Sequence, residues 1–195
     1  MAKRIRLLLA SVSPRRRDLL AQAGVLFAVE AARVEEICFP EWTARELCLL
    51  NAERKADEVA VRRPDDVVLG ADTVVSLDEV VFGKPRDLAD ARGMLERLCG
   101  RVHEVLTGVC LLHRSAGKIC RFVESTRVKF RSRSEVDLDA YLQSIDPLDK
   151  AGGYAAQEDE GRLIECLEGS MSNVIGLPVE RVVEALRVHF PETSG

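Results

Sequence analysis

Apolar positions along the chain fall into blocks whose spacing changes from one block to the next, and the changes mark the elements. The run Ile5 to Ala10 is continuous and short, as in a strand buried on both faces. It stops at Ser11 and Ser13. A helical pattern begins at once, with Ser13 as N-cap, Pro14 at the first helical position, and Leu19, Leu20 and Ala23 facing inward. After a short strand, Thr43-Ala44-Arg45-Glu46 forms a capping box that opens a helix to about Arg62. Pro64 and Asp65-Asp66 break it, and Val67 to Ala71 reads as a second buried strand. Val74, Val75 and Leu77 lead to a turn at Asp78-Glu79, and Val80 to Phe82 return as a hairpin arm.

Further along, Asp87 caps a helix that buries Ala91, Met94, Leu95 and Leu98 and stops at Gly100. Two long strands follow, Val102 to His113 and Lys118 to Phe130, joined through Ser115-Ala116-Gly117. Ser134 is the expected cap of a helix to about Ser144. The Gly-, Asp- and Pro-rich stretch 146–160 reads as a loop, Arg162 to Glu168 as a strand, and Pro178 to about Phe190 as a last helix. This order predicts one α/β domain spanning residues 1–195, with a mixed sheet because the middle strands are hairpin-linked. There are no repeats or low-complexity segments.

Composition narrows the function classes. Apolar residues make up 47% and charged residues 31%, which suits a globular chain with an ordinary core. A net charge of -4 argues against a broad nucleic-acid-binding surface but leaves room for a small basic pocket. Lys3, Arg4 and Arg6 precede an apolar stretch too short for a secretory signal, and no run approaches a membrane span. Six cysteines without C-x-x-C spacing predict free thiols in a reducing cytoplasm rather than a zinc site or disulfides. His103, His113 and His189 are scattered and receive no role.

The candidate chemistry begins at the first strand–helix turn. A helix start offers unpaired N–H groups and partial positive charge, and Arg15, Arg16 and Arg17 crowd into its first turn. Cations there are unfavourable unless an anion compensates them, so the turn predicts a phosphate site. Four further spots place polar groups where packing would prefer others: Glu35-Glu36, Gly70-Ala71-Asp72-Thr73, Gly83-Lys84-Pro85 and Asp149 to Gln157. Asp72 is expected at the carboxyl end of a strand, where open α/β sheets bind ligands. Singly, each has an ordinary explanation: a turn carboxylate, a solvated acidic pair, surface lysines at Lys55 and Lys84, a local Asp149–Lys150 pair. Together they make the inventory for hydrolysing a nucleoside triphosphate, which needs cations, acidic metal ligands and one base for water. The GK[ST] phosphate loop is absent, so the chain is not of that type.

Seven segments in order, LASVSPRRRDLL, ERKA at 53–56, GADTVV, FGKPRD, HEVLTGV, PLDKAGGYAAQ and EGSMSNVIGLPVE, resemble the Maf family of nucleotide pyrophosphatases over essentially the whole length. The resemblance implies a fold similar to the inosine triphosphate pyrophosphatases: an elongated, curved mixed sheet flanked by helices around a central cleft. It implies phosphate binding by Ser11, Arg15, Arg16, Lys55 and Lys84, and Asp72 as general base. It implies a divalent metal, Mg²⁺ or Mn²⁺, near Glu35 and Asp72, and base selection by Arg15, Thr73 and Gln157. The loop from Asp149 to Gln157 resembles the branch acting on dTTP and UTP. A 7-methyl-GTP pyrophosphatase and a non-catalytic nucleotide-binding regulator of cell division are the alternatives, and a homodimer is left open. One departure stands out: the family usually has Gly after the glutamine, whereas Gln157 is followed by Glu158-Asp159-Glu160, acids that would repel a triphosphate if they faced it.

Overall fold

A computed structural model describes residues 6–39, 41–132 and 136–193. Its elements, in order, are β1 (Leu7–Leu9), α1 (Pro14–Gln22), β2 (Ala28–Val29), α2 (Ala44–Arg62), β3 (Val67–Leu77), β4 (Val80–Phe82), α3 (Leu88–Leu98), β5 (Val102–His113), β6 (Lys118–Phe130), α4 (Leu138–Ser144), β7 (Ile164–Glu168), α5 (Met171–Ile175) and α6 (Val179–His189). The seven strands form one sheet in the order β2-β1-β3-β5-β6-β7, with β4 also on β3. β1 pairs in parallel with β2 and β3; the other pairings are antiparallel. The mixed sheet flanked by helices agrees with the sequence reading. Among the described residues, no helix is long and apolar enough to cross a membrane.

Alternation along β3 sorts its side chains between two layers. Val67, Leu69 and Ala71 pack with Leu20 of α1 and Val182 and Leu186 of α6, whereas Val75 and Leu77 join a second core with Leu95, Leu98 and Tyr141. Val68 and Val74 turn to the other face, against Ala52, Ala56 and Cys48 of α2. Helix α2 starts at the expected capping box: Thr43 Oγ1 accepts from the Glu46 N–H, and the Glu46 carboxylate accepts from the Thr43 N–H. It lies very close to the sheet because glycines open the space. A Cβ on Gly70 would sit 2.2 Å from the Ala52 carbonyl oxygen, and one on Gly108 2.4 Å from Cys48 backbone.

Two expectations about local structure change. Asp72 is not at a strand end; it lies in the middle of the 11-residue β3. The reason is that β5 pairs with β3 without interruption from Val67 to Ser76, carrying the strand past the carboxylate. On the other edge β1 covers Val67–Leu69 and β4 covers Val75–Leu77. Among the described residues, no strand flanks 70–74 on that side, so the strand that ends beside this stretch is β1. The second change is α5, which the sequence did not announce. The expected cap Ser134 lies outside the described residues, as does Ile5 at the start of the first strand; α4 is capped by Asp137, which accepts from the N–H groups of Asp139 and Ala140.

Candidate active site

The open edge of β3 borders a cleft of about 450 Å³, a size suited to a nucleotide. Ser11, Arg15, Arg16, Lys55, Asp72, Thr73, Lys84 and Gln157 all line it, so eight side chains from five separate stretches of sequence converge. Asp72 and Thr73 point to opposite faces of β3 and share one cleft only because the edge between them is uncovered.

On the α2 face, Asp72 is 4% exposed and its Oδ1 accepts from Lys55 Nζ at 2.6 Å. The same ammonium donates to Glu36 Oε1 at 2.7 Å, and Lys84 Nζ lies 3.8 Å from that oxygen. Burial pushes the Asp72 carboxyl above the usual range; Lys55 opposes the rise and Glu36 adds to it. Burial would also raise Glu36, but the charge and hydrogen bond of Lys55, with Lys84 beyond, hold it down to about 2. Of the two carboxyls sharing Lys55, Asp72 is thus the more basic, as a proton acceptor near neutral pH should be.

Glu35 is corrected by this geometry. It is exposed and does not line the cleft, whereas Glu36 does. Residues 30–39 form no helix or strand, and in this segment Val34 and Glu36 reach the cleft while Glu35 turns to solvent. Of the acidic pair, the carboxylate at the cleft is therefore that of Glu36 and not the expected Glu35.

On the other face, Arg16 spans the start of α1 and the end of α5. Its Nε donates to the Gly176 carbonyl at 2.8 Å, and its terminal nitrogens donate to Ser11 Oγ at 3.3 Å and Thr73 Oγ1 at 3.1 Å. Gly176 has φ +137°, a backbone that L side chains rarely adopt, so the carbonyl position depends on glycine. Burial lowers the Arg16 pKa, with Asp72 and Glu36 acting against it. Arg15 donates to the carboxylate of Asp149 and, at 3.0 Å, to its carbonyl; Lys150 donates to the same carboxylate at 2.7 Å. Ser13 donates its N–H to Ser11 Oγ at 3.2 Å instead of capping α1 through its side chain.

The acidic run after Gln157 is mostly turned away from the cleft. Asp159 is buried and accepts from the N–H groups of Leu163 and Ile164, both at 3.0 Å. Only Glu158 meets the glutamine, accepting from Gln157 Nε2 at 3.3 Å. None of the three acids lines the cleft, so the repulsion expected from sequence is not built in. Other participants escaped the sequence reading: Asn51, whose amide reaches Asp72, and a buried line of Thr107 and Asn173 beneath Thr73. Asn51 had a signal, being a polar residue one turn before Lys55 on an inward helix face. Thr107 had none, since threonine is common in strands. Its hydroxyl lies 3.0 Å from Thr73 Oγ1 and bonds the Asn173 carbonyl. Thr107→Val is expected to cost about 1 kcal/mol in urea denaturation, because it unpairs buried partners at constant shape; an unchanged midpoint would show that the hydroxyl line adds nothing.

The sequence profile of the Maf-like protein family matches residues 6–189. The chain belongs to the Maf family. Relatives at 42% and 46% identity are the dTTP/UTP pyrophosphatases of Halalkalibacterium halodurans and Myxococcus xanthus; the first alignment covers 94% of this chain and 95% of the relative, the second 92% and 90%. A HAM1 protein from Coxiella burnetii matches in structure over 94% of this chain and 98% of its own, at 14% identity and a TM-score of 0.46, too distant a likeness to argue from. In this Maf chain the described residues bring no three His, Cys, Asp or Glu side chains together as a metal cage. What converges is two carboxylates, Glu36 and Asp72, on one ammonium.

Proposed function

We propose that this Maf-family chain is a nucleoside triphosphate pyrophosphatase that converts dTTP and UTP to the monophosphate and pyrophosphate. The observation that carries the reading is the meeting of a basic, buried carboxylate with lysines and arginines from distant segments in one nucleotide-sized cleft. The substrate comes from the relatives, which are named dTTP/UTP pyrophosphatase.

In the proposed reaction, water adds to the α-phosphorus and its proton goes to Asp72. The bond from that phosphorus to the bridging oxygen breaks, and the oxygen leaves with pyrophosphate. Lys55 holds Asp72 oriented through Oδ1, while Lys84 and Arg15 neutralise the leaving charge. Arg16 and Ser11 fix the phosphates at the start of α1, where helix N–H groups add to the field. For Arg15 this requires the triphosphate to compete with Asp149. Glu36 and Asp72 carry the hard carboxylate oxygens that would hold Mg²⁺ or Mn²⁺. When bound, that ion supplies further charge neutralisation on the triphosphate. Thr73, Arg15 and Gln157 select the base. The Gln157 amide has a donor and an acceptor to offer a pyrimidine edge, and Glu158 engages its Nε2.

A steady-state panel of dTTP, UTP, CTP, GTP and 7-methyl-GTP with either metal tests the reading through pyrophosphate release. dTTP and UTP are expected to exceed the others in kcat/KM by about tenfold or more, since unmatched polar groups penalise the wrong base. Preference for 7-methyl-GTP would move the chain to the other branch. Binding without release from any nucleotide would leave a regulator.

A further inference from the structure

Asn51 sits one helical turn before Lys55 on α2, is 4% exposed, and lines the cleft between Ile37 and Asp72. Asparagine is a poor choice for a buried helical position: its propensity is low and its amide must be satisfied away from water. Here the amide is well used. Its Oδ1 accepts from the Ile37 N–H at 2.8 Å, and its Nδ2 donates to the Ile37 carbonyl at 3.0 Å and to Asp72 Oδ2 at 3.3 Å.

Two of these bonds go to both main-chain groups of one residue, in the manner of a strand partner. That residue belongs to a stretch with no helix or strand of its own, and it directly follows Glu36. The third bond reaches the free oxygen of the carboxylate that Lys55 holds by Oδ1. Asn51 and Lys55 therefore grip the same two targets from one face of α2: Lys55 the two carboxylates, Asn51 the backbone beside one and the second oxygen of the other.

We infer that Asn51 is a positioning residue that clamps the Glu36 segment and the Asp72 carboxylate to α2 at a fixed mutual distance. The inference rests on the proposed reading in which these carboxylates serve triphosphate hydrolysis. It places the fixed backbone of Ile37 directly beside Glu36, the carboxylate of the pair that lines the cleft.

The test combines amide hydrogen exchange, without nucleotide or metal, with steady-state kinetics on dTTP. In wild type the Ile37 amide is expected to exchange about tenfold or more slowly than those of Glu35 and Glu36. Asn51→Leu keeps the volume and removes all three bonds. It is expected to speed exchange at Ile37 and lower kcat about tenfold while the KM for dTTP stays within about threefold. Asn51→Asp keeps the acceptor for the Ile37 N–H but turns a carboxylate toward Asp72, so exchange stays slow while kcat falls at least as far. Wild-type kcat in Asn51→Leu, a raised KM at constant kcat, or a fall in kcat without faster exchange at Ile37 would each overturn the clamp. Should Asn51→Leu fail to fold, fast exchange at Ile37 in wild type, or full activity in Asn51→Asp, would overturn it equally. A wild-type protein that releases no pyrophosphate would instead sink the proposed function, leaving the exchange arm to judge the clamp.

Discussion

Asp72→Asn is expected to release pyrophosphate from dTTP about 10²–10⁴-fold more slowly than wild type, the usual range for removing a positioned general base. The substitution keeps the shape and removes the acceptor. It leaves Lys55 paired with Glu36 at 2.7 Å, so the fold is expected to survive. Nucleotide affinity, measured by calorimetry where turnover is negligible, is therefore expected to change by less than about tenfold. Turnover at the wild-type rate would remove Asp72 from the mechanism. Loss of binding together with rate would make it a structural ion pair.

The largest expected effect on stability comes from a histidine outside the chemistry. His103 is 1% exposed on β5, its Nε2 lies 3.0 Å from the Tyr154 hydroxyl, and its buried Nδ1 has no partner among the described residues. Burial pulls its pKa from 6.5 down to about 4. The unfolded chain thus takes up the proton first as pH falls. Stability is complete above about pH 6.5, declines between 6.5 and 4, and loses nothing further from this group below 4. Two other site groups act elsewhere or oppositely: Glu36, held low, costs stability only below its ordinary range, and the raised Asp72 favours the folded state as pH falls. From pH 7 to pH 5, wild type is expected to lose about 2 kcal/mol more than His103→Gln in urea denaturation. Parallel pH dependences of the two proteins would refute the assignment.

Much of the fold was legible because its signals are local. β5 and β6 begin and end where the apolar pattern and the intervening turn put them, and α2 and α3 start at their capping residues. Asp72 misled because a carboxylate looks like a strand end. Continuous pairing with β5, more than thirty residues away in sequence, carries the strand through it. The five-residue α5, Met171–Ile175, is too short to show a period, and Ser170 caps it with a single bond to the Asn173 N–H. In the site, residue types were readable and facings were not. The segment holding Glu35 and Glu36 has no regular period to show which of them turns inward, and Arg15 is held by Asp149, a partner 134 positions away. Asp159 is buried by bonds from the N–H groups of Leu163 and Ile164, a local turn that a run of three acids does not announce.

β3 and β5 run unbroken beneath the cleft, from the core around Leu69 and Leu111 to the core around Val75 and Val105. Enzymes that close on substrate by swinging one lobe against another need a hinge, usually in a few loop residues, and move over microseconds to milliseconds. Here a rotation of one core against the other would have to bend paired strands of 11 and 12 residues and strain the close seat of α2 at Gly70 and Gly108. The groups at the cleft that could move without bending the sheet are long side chains such as Arg15 and Lys84, and side-chain motions of that kind run from picoseconds to nanoseconds. The cleft thus lies across a continuous pair of strands and not between two separately hinged lobes.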